Sequence, residues 1–156
     1  MAGRKYEKYI VHETPESPLH PLINAPWTPL MRVEDKVMKG AFYFECVWIT
    51  AEVDEHNACK PHSHDCDEIL GFFGSNLKDP KNLNAEIEFW FDDETYIFTK
   101  NTLVLVPANV WHSPIFVKNI TAPIFCLSTS PTLKYNQKVN RNSRWNHLND
   151  PMEAKF

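Results

Sequence analysis

The sequence lacks three features that would each assign it to a particular class of protein. It has no run of lysine and arginine that could follow a phosphate backbone, and its formal net charge is −4, so we expect no nucleic-acid partner. No apolar run approaches the length that crosses a bilayer, so we expect no membrane partner. The first eight residues carry charge but lead into no apolar stretch, unlike a secretory signal. We therefore predict a cytoplasmic protein.

The sequence also lacks a Cys-x-x-Cys pair. Its four cysteines are scattered over the chain: Cys46, Cys59, Cys66 and Cys126. In a chain without a secretory leader this pattern favours reduced thiols over a disulfide framework. Cys46 and Cys126 lie within apolar segments and are predicted core residues. Cys59 and Cys66 flank a pair of histidines, and their role stays open.

Between residues 40 and 129 the chain alternates short apolar runs with turn-forming residues, and no segment has a convincing helical period. The predicted strands are 41–50, 69–74, 86–91, 95–99, 103–106, 115–117 and 124–127. Residues 86–91 and 95–99 flank Asp92-Asp93-Glu94, which is typical of a hairpin. About seven short strands without helices predict an all-β sandwich or barrel.

The two ends of the chain differ from this middle part, although 156 residues have the length of one domain. Residues 1–30 are a predicted N-terminal arm, in which five prolines exclude a helix or a central strand: Pro15, Pro18, Pro21, Pro26 and Pro29. Its apolar side chains favour packing on the domain or on a partner subunit, and we expect a homodimer; a partly ordered arm is the alternative. Residues 31–129 are the predicted barrel. Residues 130–156 are a polar tail expected to pack on it, with Tyr135, Trp145 and Met152 as docking points.

The segment 61–68 contains three metal-ligand side chains within seven residues: His62, His64 and Glu68. In a strand, His62 and His64 point to the same side about 6–7 Å apart, which suits two ligands of one ion. Glu68 can join them only if the chain turns at residues 65–67, where two aspartates favour local backbone hydrogen bonds. The segment predicts a metal site that still lacks a ligand.

The missing ligand is indicated further along the chain. Among the seven histidines only His112 opens a predicted strand directly after a tight turn, five residues after Pro107. The pattern HxHxxxE followed by PxGxxH resembles the cupin superfamily over residues 40–129, with Gly74 near the closing glycine of the first motif. The resemblance implies a double-stranded β-helix, a jelly-roll-like barrel, in which His62, His64, Glu68 and His112 hold one divalent metal ion.

The sequence departs from that pattern at four positions without losing a ligand. His56, Asn101 and Asn109 stand where glycines are expected, and Phe116 stands where an asparagine follows the last histidine. Asparagine is the non-glycine residue that best tolerates left-handed backbone geometry, so we expect both turns to survive.

Three imidazoles and one carboxylate suit Fe, Mn, Co, Ni, Cu or Zn. Four protein ligands leave two positions open on an octahedral ion, whereas a closed structural site is more often tetrahedral and cysteine-rich. We expect a small polar or chelating substrate and favour an iron-dependent dioxygenase. The alternatives are a non-redox isomerase, lyase or hydrolase, and a cupin that binds a small ligand without turnover. Glu68 is either a permanent ligand or a base.

Further candidates depend on which face of the 86–99 hairpin lines the barrel. Glu86 and Glu88 share one face and are base candidates if it points inward; a solvated face is the alternative. Four aromatic residues are candidate pocket walls or proton donors, with core packing as the alternative for the tryptophans: Trp90, Trp111, Tyr96 and Tyr43. Asp65 and Asp67 could hydrogen-bond the imidazoles or only shape the turn.

Overall fold

Ten short strands make up nearly all of the regular structure in the computed structural model, which describes residues 5–14, 26–139, 144–145 and 147–148. The strands are β1 (Trp27–Val33), β2 (Tyr43–Ile49), β3 (His62–Ser63), β4 (Glu68–Gly74), β5 (Asn82–Phe91), β6 (Glu94–Lys100), β7 (Thr102–Val106), β8 (His112–Lys118), β9 (Ile124–Ser130) and β10 (Lys138–Val139). One 3₁₀ turn, Glu7–Tyr9, precedes them. Within the described ranges, no helix has the length and apolar character needed to cross a membrane.

The strands form two five-stranded sheets, both antiparallel. The first sheet has the order β1-β2-β9-β4-β7, and the second has the order β10-β3-β8-β5-β6. Their inner faces share one core, in which Phe72 of the first sheet meets Phe89 of the second with ring centroids 6.4 Å apart. The prediction of an all-β, jelly-roll-like double sheet is confirmed.

Strand alternation decides which side chains reach the core. In β5, Ile87 and Phe89 are fully buried, whereas Glu86, Glu88 and Trp90 point to the other face. In β2, every second residue from Tyr43 to Ile49 faces inward, and this set includes the carboxylate of Glu45, which is only 6% exposed. A buried glutamate in an otherwise apolar strand points to a polar feature inside the barrel.

Strand β1 crosses the predicted boundary at residue 30. It pairs with β2 at the free edge of the first sheet, with a register shift between Pro29 and Met31. An edge position tolerates Pro29, because a proline cannot donate to a neighbouring strand. Trp27 is buried in the core and donates from Nε1 to the carbonyl of Asn57 at 3.2 Å. Residues 15–25, which form a large part of the predicted arm, lie outside the described part of the chain.

The two asparagines that replace expected glycines act differently. Asn109 has a φ of +65°, so it takes up the left-handed geometry that its turn requires. Asn101 does not have a positive φ. Its side chain bridges two segments instead, accepting from the Gly74 amide at 3.0 Å and donating to the Pro80 carbonyl at 2.8 Å.

Candidate metal centre

Four side chains meet inside the barrel. Three of them open a strand, and the fourth, His64, directly follows β3. His62 opens β3 and lies opposite His112, which opens β8, in an antiparallel pair. Glu68 opens β4 in the other sheet, and the chain bends at Asp65 and Cys66 to reach it. The bend predicted between the histidines and the glutamate is therefore present.

The imidazoles of the cluster lie close together and away from solvent. Ring nitrogens of His62, His64 and His112 all lie within 4.8 Å of one another, an arrangement that can hold a metal ion. Oε2 of Glu68 lies 3.1 Å from Nε2 of His112 and 3.4 Å from Nε2 of His64. None of the four residues is more than 7% exposed.

Backbone carbonyls fix the orientation of the rings. The Nδ1 atoms face the carbonyl oxygens of Lys60 at 2.7 Å for His62, Asn136 at 2.6 Å for His64 and Val110 at 3.3 Å for His112. A carbonyl oxygen only accepts hydrogen bonds, so each Nδ1 carries a hydrogen and each neutral ring presents an Nε2 lone pair. These lone pairs point into the same small space as a carboxylate oxygen, which favours a cation between them.

Two buried polar atoms at this point are left without a hydrogen-bond partner among the described residues: Oε2 of Glu68 and Nε2 of His112. The other oxygen of Glu68, Oε1, accepts from Oγ of Ser128 at 2.5 Å, so the side chain is held in place. An unsatisfied buried polar atom costs about 1–3 kcal/mol, and a divalent cation would satisfy both atoms together. The residues therefore fit a metal ion.

The protonation states agree with this fit. Burial and the neighbouring imidazoles of His112 and His64 lower the pKa of His62 to about 3, so its ring is neutral. Burial alone would raise the pKa of Glu68, but the imidazoles of His112 and His64 beside its carboxylate outweigh burial and hold that pKa well below its usual range. Burial also acts to lower the pKa of His64, but Glu68 outweighs it and raises that pKa.

The segment after β9 closes one side of the centre. Oη of Tyr135 lies 3.4 Å from Nε2 of His64, and its ring is tilted against those of Tyr43 and His64, with centroid distances of 4.4 Å and 4.8 Å. Strand β10 pairs with β3, with Val139 opposite His62. Burial raises the pKa of Tyr43 and Tyr135 well above the usual value, so both hydroxyls stay protonated. The sequence marked Tyr135 only as a docking point, because the register of a two-residue strand leaves no readable pattern.

A cavity of about 100 Å³ adjoins the centre, and its lining is largely apolar. Besides His62, Glu68 and His112 its walls include Trp27, Tyr43, Glu45, Val47, Leu70, Ile115, Cys126, Tyr135 and Gln137. Within it, Tyr43 donates from its hydroxyl to Glu45 Oε2 at 2.9 Å. Arg32 is the backbone partner of Glu45 in the β1–β2 register, and its guanidinium lies 5.3 Å from the Tyr43 ring.

The cysteines are all free, which agrees with the predicted reduced thiols. Cys46 and Cys126 are buried, whereas Cys59 and Cys66 are half-buried. Cys46, Cys59 and Cys126 border the cavity, and Cys66 does not. None of the four belongs to the histidine cluster.

The hairpin candidates lie away from the cavity. The polar face of β5 points outward, where Glu88 accepts from Trp90 Nε1 at 3.0 Å and from Lys118 at 2.8 Å. Trp145 of the tail packs against Trp90 with ring centroids 5.4 Å apart. Tyr96 is 44% exposed on β6.

Glu86 and Trp111 do not line the cavity either, so Tyr43 is the one predicted pocket residue that does. Asp67 shapes the loop that holds the centre, because its Oδ1 accepts from the Ala108 amide at 2.9 Å. Asp65 is exposed. Met152 lies outside the described residues.

Comparisons with known proteins were made by family, by sequence and by structure. No protein-family model matches the chain, and no curated protein matches it. A cupin-like protein from Thermotoga maritima is 18% identical over 73% of this chain and 74% of its own, with a TM-score of 0.42. The polyketide cyclase RemF from Streptomyces resistomycificus is 17% identical over 74% and 69%, with a TM-score of 0.44.

The DMSP lyase DddQ from Ruegeria pomeroyi is 14% identical over 65% of this chain and 44% of its own, with a TM-score of 0.41. This chain thus spans less than half the length of that lyase. The two antiparallel sheets, with both histidine motifs meeting between them, define a cupin-type fold. The resemblance predicted from the sequence is confirmed at the level of the fold.

Proposed function

We propose that this protein is a metal-dependent enzyme that holds one divalent transition metal ion through His62, His64, Glu68 and His112. One observation carries the proposal: the Nε2 atoms of three clustered histidines and an unsatisfied oxygen of Glu68 converge, and His62, His112 and Glu68 line a cavity of about 100 Å³. A purely structural centre would have no need of an adjoining cavity. The cavity would hold a small substrate beside the ion.

The favoured chemistry is that of a dioxygenase, with iron as the metal. A bound iron(II) ion would supply a site where dioxygen and a substrate atom come together, since four protein ligands leave two positions of an octahedral ion. The chain's own part is to fix the ligands through the backbone carbonyls behind each ring and to surround the substrate with apolar walls that exclude water. In this role Glu68 is a permanent ligand, held by Ser128.

A non-redox reaction is the second candidate, and Glu45 supports it. Its carboxylate lies in the cavity wall beside the hydroxyl of Tyr43, where a base could take a proton from a substrate polarised by a metal ion. The two candidates differ in the need for oxygen.

The experiment is metal analysis of the protein purified without added metal, followed by oxygen-electrode measurements on the iron-loaded protein with a panel of small acids and thiols. About one iron per chain and oxygen uptake with a panel member support the dioxygenase. Zinc or manganese, with turnover that continues under argon, supports the non-redox enzyme. Less than a tenth of an equivalent of any divalent metal, before and after incubation with each ion, would overturn the metal centre.

We also propose that the protein is a homodimer, with strand β7 as the contact. Among the described residues β7 pairs only with β4, and its outward side chains Leu103 and Leu105 are 65% and 60% exposed. An antiparallel pair centred on Val104 would place each of these leucines opposite the other in a second copy, which suits a two-fold axis.

Light scattering on Leu105→Lys should show a monomer, whereas Leu77→Lys, at a leucine 90% exposed in a loop, should leave a dimer. A monomeric native protein would refute the contact.

A further inference from the structure

The substrate must satisfy two parts of the cavity that differ in chemistry. The polar part of the lining includes three of the proposed metal ligands, His62, Glu68 and His112, together with Tyr135 and Gln137. The remaining walls are largely apolar, with Glu45, Ser113 and Ser128 as their polar members. We propose that the centre binds small monoanionic acids, with the anionic head at the metal accepting a hydrogen bond from Tyr135 and a compact apolar body of about three to five carbon atoms in the cavity. This inference rests on the proposed metal centre and names its ligand class.

The charge of the head follows from the charges that surround it. Three neutral imidazoles and the Glu68 carboxylate leave a divalent ion with one uncompensated positive charge in a buried site, which an anion would neutralise. The second carboxylate at the cavity, Glu45, does not reverse this preference. It accepts from Tyr43 at 2.9 Å, and Arg32, its backbone partner in the β1–β2 register, places its guanidinium 5.3 Å from the Tyr43 ring.

Tyr135 has the geometry of a donor to the head. Its hydroxyl lies 3.4 Å from Nε2 of His64 and donates to Oε1 of Gln137 at 3.3 Å, a long bond to a neutral amide that a bond to an anionic oxygen would replace. Once Nε2 of His64 binds a metal ion, that lone pair is no longer available to the hydroxyl. The O–H group then lies beside the ion and can donate to an oxygen bound there.

The size of the body follows from the volume of the cavity. At about 100 Å³, it is smaller than an apolar cavity of about 150 Å³, which is large enough for benzene. Its apolar walls, among them Trp27, Val47, Leu70 and Ile115, favour carbon over polar atoms. An isopropyl or tert-butyl group should fit, whereas a phenyl ring should not.

The test uses the cobalt(II)-loaded protein, whose visible absorption reports ligands bound at the metal, titrated with acetate, isobutyrate, pivalate and benzoate. Affinity should rise about fourfold for each added carbon from acetate to isobutyrate and stay high for pivalate. Benzoate should bind at least tenfold more weakly than pivalate, and isobutylamine should cause no spectral change. Benzoate binding as tightly as pivalate, or isobutylamine binding as well as isobutyrate, would overturn the proposal.

Two variants test the residues themselves. Tyr135→Phe should weaken isobutyrate about tenfold while the affinity for cobalt, measured by chelator competition, changes less than twofold. Tyr9→Phe, at a tyrosine 58% exposed outside the barrel, is the matched control and should change neither. Val47→Ala enlarges the cavity and should reduce the difference in binding affinity between benzoate and pivalate. Unchanged isobutyrate affinity in Tyr135→Phe would contradict the role of Tyr135. An unchanged affinity difference between benzoate and pivalate in Val47→Ala would contradict the size limit set by the cavity.

Failure of this inference is distinguishable from failure of the metal centre. If the protein takes up no cobalt, the proposed function itself is refuted. If it takes up one equivalent and the acids leave the spectrum unchanged, the metal centre stands and only the ligand class is wrong.

Discussion

The two faces of the second sheet carry similar kinds of residues but use them differently. On the inner face, His62 and His112 meet the carboxylate of Glu68, which projects from β4 of the first sheet, with unsatisfied buried atoms between them. On the outer face, Glu88 accepts from Trp90 and Lys118, so its oxygens have partners. Oε2 of Glu68 at the inner face therefore has no hydrogen-bond donor among the described residues, whereas Glu88 on the outer face is paired with Lys118.

The tail of the chain repeats this contrast. The Tyr135–Val139 stretch reaches the inner site through polar contacts to His64 and strand pairing to His62. Trp145 instead covers the outer face by packing on Trp90 and Phe116. We expect the first contact to affect ligand binding and the second to affect stability.

The largest expected effect is stabilisation of the inner site by metal. At a thousandfold excess over its dissociation constant, a metal ion should raise the free energy of unfolding by about 4 kcal/mol. Calorimetry of the protein with and without a chelator measures this change. Equal melting temperatures in the two samples would contradict a site that needs a cation.

The next effect compares the two glutamates directly. Glu68→Gln removes the charge that faces His64 and His112 and should lower metal affinity about 10- to 100-fold. Glu88→Gln keeps the same chemistry on the outer face and should leave metal affinity unchanged, with less than about 1 kcal/mol lost in stability, because its ion pair with Lys118 is exposed. Chelator competition on both variants provides the measurement. Equal losses of affinity would remove the distinction between the faces.

The third effect tests the outer face through the tail. Trp145→Ala should destabilise the protein by about 2 kcal/mol, less than a fully buried tryptophan would, because Trp145 is half-buried against Trp90 and Phe116. Metal affinity should stay within twofold of the native value. Urea denaturation and metal titration of one preparation check both statements, and a drop in metal affinity would show that the two faces are coupled.

The smallest effect concerns the two asparagines that stand where glycines were expected. Asn109→Gly should change stability by less than about 0.5 kcal/mol, because glycine adopts the φ of +65° without strain. Asn101→Gly should cost about 1–2 kcal/mol, because it removes hydrogen bonds to Gly74 and Pro80. Equal costs in thermal denaturation would mean that both positions are used in the same way.

The fold could be predicted from local strand patterns, and the four candidate ligands were implied by the resemblance of two motifs to the cupin pattern. Alternation gives the strands, and the spacing of His62, His64, Glu68 and His112 is readable without a structure. Strand β1 was missed because its proline argued against a central strand, whereas it lies at an edge. The sequence showed that Glu86 and Glu88 share a face, but which face turns inward depends on the sheet packed against it.

The cavity walls could not be predicted for a related reason. Glu45 appears in the sequence as one polar residue in an apolar strand, and Tyr135 as one aromatic residue in a polar tail. Their positions in the cavity wall come from non-local pairing, β2 with β9 and β10 with β3. No local pattern records such pairing.

The most direct test of the inner site is the metal content of His112→Ala beside that of His147→Ala, each purified as the native protein is. His112 is 1% exposed among the candidate ligands, whereas the side chain of His147 is 56% exposed and lies 3.3 Å from Glu55. We predict about one divalent metal ion per chain in the native protein and in His147→Ala, and less than a tenth of that in His112→Ala. Equal metal content in both variants would contradict the assignment of the centre.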